Sequence, residues 1–195
     1  MSIADLPQLA PPGAGLPLVE LWAARLLFGL TRWRGNRESF VARFEQERAA
    51  IRALVKSCPE TRRGERVLII RLRGLEDSSR NWSVWMTLDH LRITNTAVAQ
   101  VITALTQGQV PKRKASTAAV KPSATVTAEV EDEYERSCDA VLKVLTDGTE
   151  LKTRLRFAHP WFGPLSGLGW AAMAGMHMGL HRAQIQSILA GLRSA

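Results

Sequence analysis

Apolar residues recur at steps of three or four along most of the chain, which is the spacing of an α-helix that buries one face. The pattern predicts four long helices, at about residues 16–57, 83–107, 129–146 and 165–192. A break is expected in the first helix at Gly35-Asn36, and either Asn81 or Ser83 is expected to cap the second. Long helices without alternating strands predict an all-α protein, a four-helix bundle with long connectors.

Two short segments have the pattern of strands instead. Residues 66–72 contain the run Val-Leu-Ile-Ile, and in residues 151–157 apolar side chains alternate with lysine and arginine. We expect at most one short two-stranded pairing, of 66–72 with 151–157. Residues 109–127 are basic and rich in Ala, Ser, Thr and Pro without an apolar period, so this segment is predicted to be a loop.

The chain is predicted to form one domain over residues 16–195, after a tail. Residues 1–15 contain three prolines and two glycines, so we expect the tail to be flexible. A chain of this length buries roughly 70% of its unfolded surface, which gives a sufficient core without disulfides or a structural metal. Two cysteines and the lack of a secretory signal pattern favour a cytoplasmic protein.

One segment has the composition of a membrane span, but we interpret it differently. Residues 157–181 contain no Asp, Glu, Lys or Arg. Pro160 and Pro164 exclude a regular helix before about residue 164, and the remainder contains two histidines and several glycines. We therefore expect a helix that is buried in protein, and no membrane partner.

The net charge of +8 arises from separate basic and acidic segments. Residues 108–128 carry four bases and no acid, whereas residues 129–147 carry seven acids and two bases, so the two segments partly cancel. Neither zinc-finger spacing nor an aromatic RNA-binding motif accompanies the arginines of residues 62–80, so no nucleic-acid partner is expected. If these arginines and those of residues 152–156 lie at the mouth of a site, they would attract an anionic substrate.

Three of the four histidines are predicted to face the protein interior. His177 and His181 lie one helical turn apart on an apolar face that also carries Gln184, and His90 lies on an apolar stripe of its own helix. Buried imidazoles need partners for both ring nitrogens, which hydrogen bonds to backbone or water, or a shared metal ion, can supply. We predict a divalent-metal site formed by His90, His177 and His181, with a coordination position left for water or substrate.

The residues beside these histidines disfavour two known classes of metal site. Met178 follows His177, so the motif lacks the glutamate base of an H-E-x-x-H protease. No Glu-x-x-His precedes any histidine, which disfavours a di-iron carboxylate site. Asp89 is adjacent to His90 but points about 100° away from it on a helix, so it is at most an indirect contact. Gln184 is a candidate to orient a ligand or a water molecule.

The order of several motifs resembles that of the DinB-like superfamily of metal-binding four-helix bundles. The motifs are Asn81-Trp82-Ser83, Leu88-Asp89-His90-Leu91, the His-Pro-Trp-Phe-Gly-Pro-Leu of residues 159–165, and then His177, His181, Arg182 and Gln184. The likeness covers about residues 38–192. It implies that His90, His177 and His181 bind a divalent ion such as zinc or nickel, and that His159 packs or caps the connector without being a ligand. Many relatives carry another histidine where this chain has Leu180, so a role of that imidazole in substrate handling is not carried over.

The resemblance implies three hypotheses of function, and the residues do not decide between them. Some members are transferases or isomerases that use bacillithiol, mycothiol or glutathione, in which the metal would hold a low-molecular-weight thiol as the thiolate. Others resemble metal-dependent hydrolases. In the third hypothesis the metal is structural and the protein is a non-enzymatic stress-response or binding module. The first two hypotheses imply a small-molecule substrate, and the catalytic residues stay unassigned.

A homodimer is also expected from the sequence. Gly169, Gly175 and Gly179 would let another helix approach the last helix closely. The helix at 83–107 also has more apolar surface than one neighbour covers, although burial under the N-terminal helix would explain the same surplus.

Overall fold

Five α-helices make up most of residues 8–194, the part of the chain that the structure, a computed structural model, describes. They are α1 (Leu18–Arg34), α2 (Arg37–Ser57), α3 (Val84–Thr106), α4 (Val130–Thr146) and α5 (Gly167–Ser194). Helix α3 packs against α4 and α5, and α2 packs against α5, while α1 lies against α5. The predicted all-α four-helix bundle is therefore confirmed, with α1 as an additional helix.

The predicted break in the first helix is confirmed at Gly35 and Asn36. The Asn36 side chain accepts a hydrogen bond from the Ser39 N–H at 2.9 Å, and the Ser39 hydroxyl accepts one from the Asn36 N–H, so the two residues cap α2 reciprocally. A Cβ atom at Gly35 would lie 2.2 Å from the Phe40 ring, so only glycine fits there. Helix α3 is capped by Ser83, whose hydroxyl accepts a hydrogen bond from the Met86 N–H at 3.1 Å.

The predicted pairing of residues 66–72 with 151–157 is wrong, because each segment pairs with a closer neighbour. Strand β1 (Val67–Leu68) pairs antiparallel with β2 (Asn81–Trp82), and β3 (Phe157–His159) pairs antiparallel with β4 (Gly163–Leu165). Both pairings close short loops, which costs less conformational entropy than joining segments about 80 residues apart. The β3–β4 hairpin leads directly into α5.

Glycines of α5 allow the close approach of α2. A Cβ atom at Gly175 would lie 3.3 Å from Arg43 Cγ and 3.5 Å from the backbone nitrogen of Phe44. A Cβ atom at Gly179 would lie 2.8 Å from Glu47 Oε1. These two glycines, one turn apart, are covered by α2 of the same chain. The expected homodimer would therefore need another surface.

The uncharged segment 157–181 packs against the bundle, with Ala158, Pro160 and Pro164 exposed in the hairpin. It contains β3, β4 and the first half of α5, in which Trp170 and Met178 are buried. Among the residues that the structure describes, no helix combines the length and the apolar character that crossing a bilayer requires.

The segment before α1 is attached to the turn that precedes β2. Residues 1–7 of the predicted flexible tail lie outside the described residues. In the remainder of the tail, the Ala10 N–H donates a hydrogen bond to Asp77 Oδ2 at 2.8 Å. The Gly13 N–H donates one to Glu76 Oε2 at 3.3 Å.

The α2–α5 contact gives a first prediction. We expect Gly175→Val to lower the free energy of unfolding by about 1–3 kcal/mol, because the added side chain must displace Arg43 and the α2 backbone. Ala190→Val, on an exposed position of the same helix, is the matched control, and we expect it to cost no more than the propensity difference of about 0.5 kcal/mol. Urea denaturation measures both, and equal effects would contradict the close approach.

Candidate metal centre

Three imidazole rings from two helices converge at one point of the bundle. His90 lies in α3, and His177 and His181 lie one turn apart in α5. His177 Nε2 is 3.1 Å from His90 Nε2 and 3.2 Å from His181 Nε2. His90 and His181 are buried, with 7% and 3% of their surface exposed, and His177 is half-buried. The structure thus brings together the three residues that the sequence analysis selected.

The connector between α3 and α4 orients His90. The His90 Nδ1–H donates a hydrogen bond to the Val120 carbonyl oxygen at 2.6 Å, which leaves Nε2 with its lone pair. The buried Asp89 carboxylate accepts the Ser123 N–H at 2.8 Å and forms an ion pair with Arg92 at 2.7 Å. Asp89 points away from the site, as predicted. Its bond to Ser123 holds the connector whose Val120 carbonyl orients His90.

Gln184 orients His181. The His181 Nδ1–H donates to Gln184 Oε1 at 2.6 Å, and Gln184 Nε2 donates to the Ser79 carbonyl oxygen at 2.8 Å. Because the amide group donates to Ser79, its oxygen must face His181, and the second ring nitrogen of His181 is free of its proton. The Gln184 side chain is fully buried. The sequence suggested an orienting role for Gln184, whereas Ser79 and Val120 act through backbone carbonyls that no side-chain motif reveals.

The three rings are held neutral by burial. Loss of water lowers the pKa of His90 to about 4, and it lowers the pKa values of His177 and His181 well below the usual value. The neighbouring imidazoles lower the pKa values of His177 and His181 further. Neutral imidazole is the form that binds metal ions.

The donor set fits a divalent cation. His90 and His181 both direct an Nε2 lone pair at His177, and a single Nε2–H of His177 can satisfy only one of them. At least one nitrogen–nitrogen contact therefore lacks a proton, which a cation shared by the three nitrogens would remedy. Nitrogens bound tetrahedrally to zinc at about 2.0–2.1 Å lie about 3.3 Å apart, close to the separations found here.

A cavity of about 520 Å³ lies beside the three histidines. It is bordered by α3, α5, the β3 strand, residues 74–79 and the connector of residues 111–121, it opens to the surface, and its lining is mostly apolar. All three histidines are part of that lining, so the centre is open on this side. A fourth coordination position would face the cavity.

His159 lines the same cavity without joining the cluster. Its Nδ1 accepts the Trp161 N–H at 3.1 Å, and its ring stacks on Phe162 with the centroids 4.9 Å apart. Burial, and then the nearby His177 ring, lowers the pKa of His159 to about 3. The position agrees with the packing role that the resemblance implies.

Half of the arginines that were expected at the mouth of the site are held in ion pairs elsewhere, namely Arg62, Arg63, Arg71 and Arg80. Arg71 bonds Glu20 at 2.6 Å, and Arg63 bonds Glu131 at 2.8 Å. None of the arginines of residues 62–80 and 152–156 is among the described residues that line the cavity. The basic residues of the lining are instead Arg113, Lys114 and Lys121, all from the connector.

Comparison with known proteins identifies the family of this chain. The family model described as DinB superfamily matches residues 41–185, which is most of the chain. The chain belongs to the DinB superfamily. The resemblance found in the sequence is thereby confirmed, and α1 lies outside the matched residues of this DinB-superfamily protein.

One similar solved structure is described as the crystal structure of TT2238, a four-helix bundle protein. The two superpose with a TM-score of 0.56 and 21% sequence identity, over 77% of this chain and 98% of that chain. At that identity the likeness shows the four-helix fold alone. No curated protein matches this DinB-superfamily chain in sequence.

The contacts of Gln184 give a second prediction. We expect Gln184→Leu to lower the free energy of unfolding by about 1–3 kcal/mol, because the Ser79 carbonyl and His181 Nδ1 lose their buried partner. Gln186→Leu, at an exposed position of the same helix, is the control, and we expect a change within about 0.5 kcal/mol. Thermal or urea unfolding of the metal-free proteins separates the two, and an unchanged Gln184→Leu protein would refute the orienting role.

Proposed function

We propose that this DinB-superfamily protein binds a divalent cation, zinc or nickel, through His90, His177 and His181. We further propose that it is an enzyme that uses the cation to activate a low-molecular-weight thiol for transfer to a second substrate. The observation that carries the proposal is the convergence of three neutral Nε2 atoms at the wall of a cavity.

The charge of the ligand set favours an anion as the next ligand. Three neutral imidazoles do not offset the charge of a divalent cation, and the apolar lining supplies little compensation. The nearby Asp89 and Glu76 carboxylates are engaged by Arg92 and Lys121, at 2.7 and 2.9 Å. A thiolate that enters from the cavity would supply the missing negative charge.

The cation would lower the pKa of a bound thiol and hold the thiolate next to the cavity. The chain's own residues keep the three ligands neutral and correctly turned and exclude water from one side of the centre. In the transfer, the thiol proton passes to solvent and the sulfur forms a bond to an electrophilic carbon of the second substrate. The leaving group departs from that carbon with the bonding electron pair.

The same contacts argue against the two alternatives. Glu76 is the one carboxylate among the described residues that line the cavity. Its Oε1 is buried without a hydrogen-bond partner, but the ion pair of its Oε2 with Lys121 stabilises the carboxylate and makes it a weaker general base for a hydrolase. Structural zinc sites are usually closed by four protein ligands. The cluster here has three protein ligands and opens on a cavity, which favours an exchangeable ligand.

Cobalt substitution tests the proposal. We expect the protein to bind one Co²⁺ and its visible absorption to change when glutathione or another small thiol is added at millimolar concentration, because sulfur would enter the coordination sphere. His177→Ala should weaken cobalt binding by about tenfold or more. His159→Ala, which removes a cavity histidine outside the cluster, should leave cobalt binding intact.

Other outcomes separate the alternatives. Cobalt binding without any response to thiols would reject thiol transfer, and metal-dependent turnover of esters or amides would then identify a hydrolase. A metal that resists exchange, and whose loss in His177→Ala mainly lowers the melting temperature, would indicate a structural role.

A further inference from the structure

The cavity beside the histidines is long as well as apolar. On α3 its lining extends from His90 to Ala104, fourteen residues or about 21 Å of helix. On α5 it extends from His181 back to Trp170, which is about 16 Å. The cavity therefore leads away from the proposed cation along the bundle, and a compact thiol at the histidines would leave most of it unfilled.

The distal half of the cavity is mostly apolar, and Gln100 is the one polar residue that the described part of its α3 wall contributes there. Its α3 wall is formed by the small apolar side chains of Ala97, Val101 and Ala104. Trp170 and Phe157 face them from α5 and β3, and the Trp170 indole N–H is already bonded to the Phe157 carbonyl at 3.2 Å. Burying amide or hydroxyl groups against such walls without partners costs several kcal/mol, so an apolar occupant is favoured.

The connector adds positive charge to the rim of this cavity. Arg113 and Lys114 line it, and neither takes part in an ion pair with the residues that the structure describes. Lys121, the third basic residue of the lining, is bonded to Glu76 at 2.9 Å. An anionic group on the ligand would compensate Arg113 and Lys114.

We infer that the second ligand of this site is an amphiphilic anion with an extended alkyl or acyl chain, which lies along α3 between Ala97 and Ala104. The inference rests on the proposed function only in placing the reacting end of the ligand at the histidines. The apolar chain and the basic rim are recognised by residues outside the metal cluster.

Binding of dodecanoate tests this inference, measured by calorimetry on the full chain with and without Co²⁺. We expect dodecanoate to bind at least about tenfold more tightly than butyrate, because only the longer chain reaches the distal wall. Ala104→Trp, which fills the distal end, should weaken dodecanoate binding about tenfold or more. Ala53→Trp, on an exposed position of α2, should leave it unchanged. If Ala104→Trp fails to fold, Ala97→Leu reduces the same space with a smaller side chain.

Variants that remove the basic charges, and cobalt binding, provide the remaining readouts. The double variant Arg113→Gln with Lys114→Gln should weaken dodecanoate binding and leave dodecanol binding unchanged. Equal binding of butyrate and dodecanoate, or an unaffected Ala104→Trp protein, overturns the inference. Cobalt binding at the three histidines without dodecanoate binding refutes the amphiphile and leaves the proposed function standing. Dodecanoate binding without any cobalt binding refutes the proposed function and supports the long apolar site.

The outer face of α1 carries a second, independent inference. Seven large apolar side chains of this helix are exposed, including Val19 at 83%, Trp22 at 67% and Trp33 at 78%. The others are Leu18, Leu26, Leu27 and Leu30. Only the opposite face of α1 packs on the bundle, through the buried Phe28. A contiguous apolar surface of this kind is rare on a monomer in water.

The size of this face matches that of a dimer interface. The seven side chains expose on the order of 900 Å², and each partner of a standard interface buries about 800 Å². Arg25 and Arg34 lie at the margins of the face, and Arg25 already donates to the Trp161 carbonyl oxygen at 2.7 Å. The face itself is uncharged, so an identical face is a complementary partner. We propose that α1 packs antiparallel against α1 of a second copy of this chain about a two-fold axis.

Sedimentation velocity at micromolar concentration tests this dimer. We expect the wild-type chain to sediment as a dimer, and Trp22→Arg with Leu26→Arg to sediment as a folded monomer. Val110→Arg, which places the same charge on an exposed apolar residue of the connector, should stay dimeric. A wild-type monomer overturns the proposal. Co-sedimentation of monomeric protein with phosphatidylglycerol vesicles, lost in the α1 variant, also overturns it and assigns the face to a lipid surface.

Discussion

The centre of this protein depends on one constraint, that three neutral imidazoles share a small buried space. Each ring has two nitrogens, and burial removes the water that would otherwise satisfy them. Two of the rings use a proton at Nδ1 for a hydrogen bond to the protein, at Val120 and Gln184, and therefore direct lone pairs inward. This arrangement is costly without a cation, and a cation shared by the three nitrogens would remove that cost. The same three histidines lie where α3 packs against α5, so helix packing and the chemistry of the site depend on the same residues.

The connector between α3 and α4 links the remaining parts to that centre. Its Val120 carbonyl fixes the His90 ring, its Lys121 is bonded to Glu76, and its Ser123 N–H is bonded to Asp89. The same segment supplies the outer wall of the cavity and its basic rim. A loop with no apolar period thus sets both the orientation of a ligand residue and the shape of the ligand space. Most of this segment is not in regular secondary structure, and these hydrogen bonds to buried groups hold it in position instead.

The sequence predicts the features that depend on local spacing and misses those that depend on distant partners. Helical periodicity identifies the bundle, and the four-residue step places His177 and His181 on one face. Gln184 is detectable because it follows one turn later. The contribution of Val120 is a backbone carbonyl, which every residue has, so no residue type marks it. The strand pairing was misassigned because alternation shows that a segment is extended, but it does not name the partner.

Helix α1 also shows that local spacing does not identify the contacts of an element. Its apolar period predicts a helix but does not show which face packs against the rest of the protein. Apolar residues surround most of its circumference, and the bundle uses only the side that carries Phe28. Two of the α5 glycines that suggested a helix from a second copy, Gly175 and Gly179, instead receive α2 of the same chain. Because the family match begins after α1, the apolar outer face belongs to an element added to the common bundle. An added helix that exposes two tryptophans increases the free energy of the monomer in water, and the proposed α1–α1 association would offset that cost.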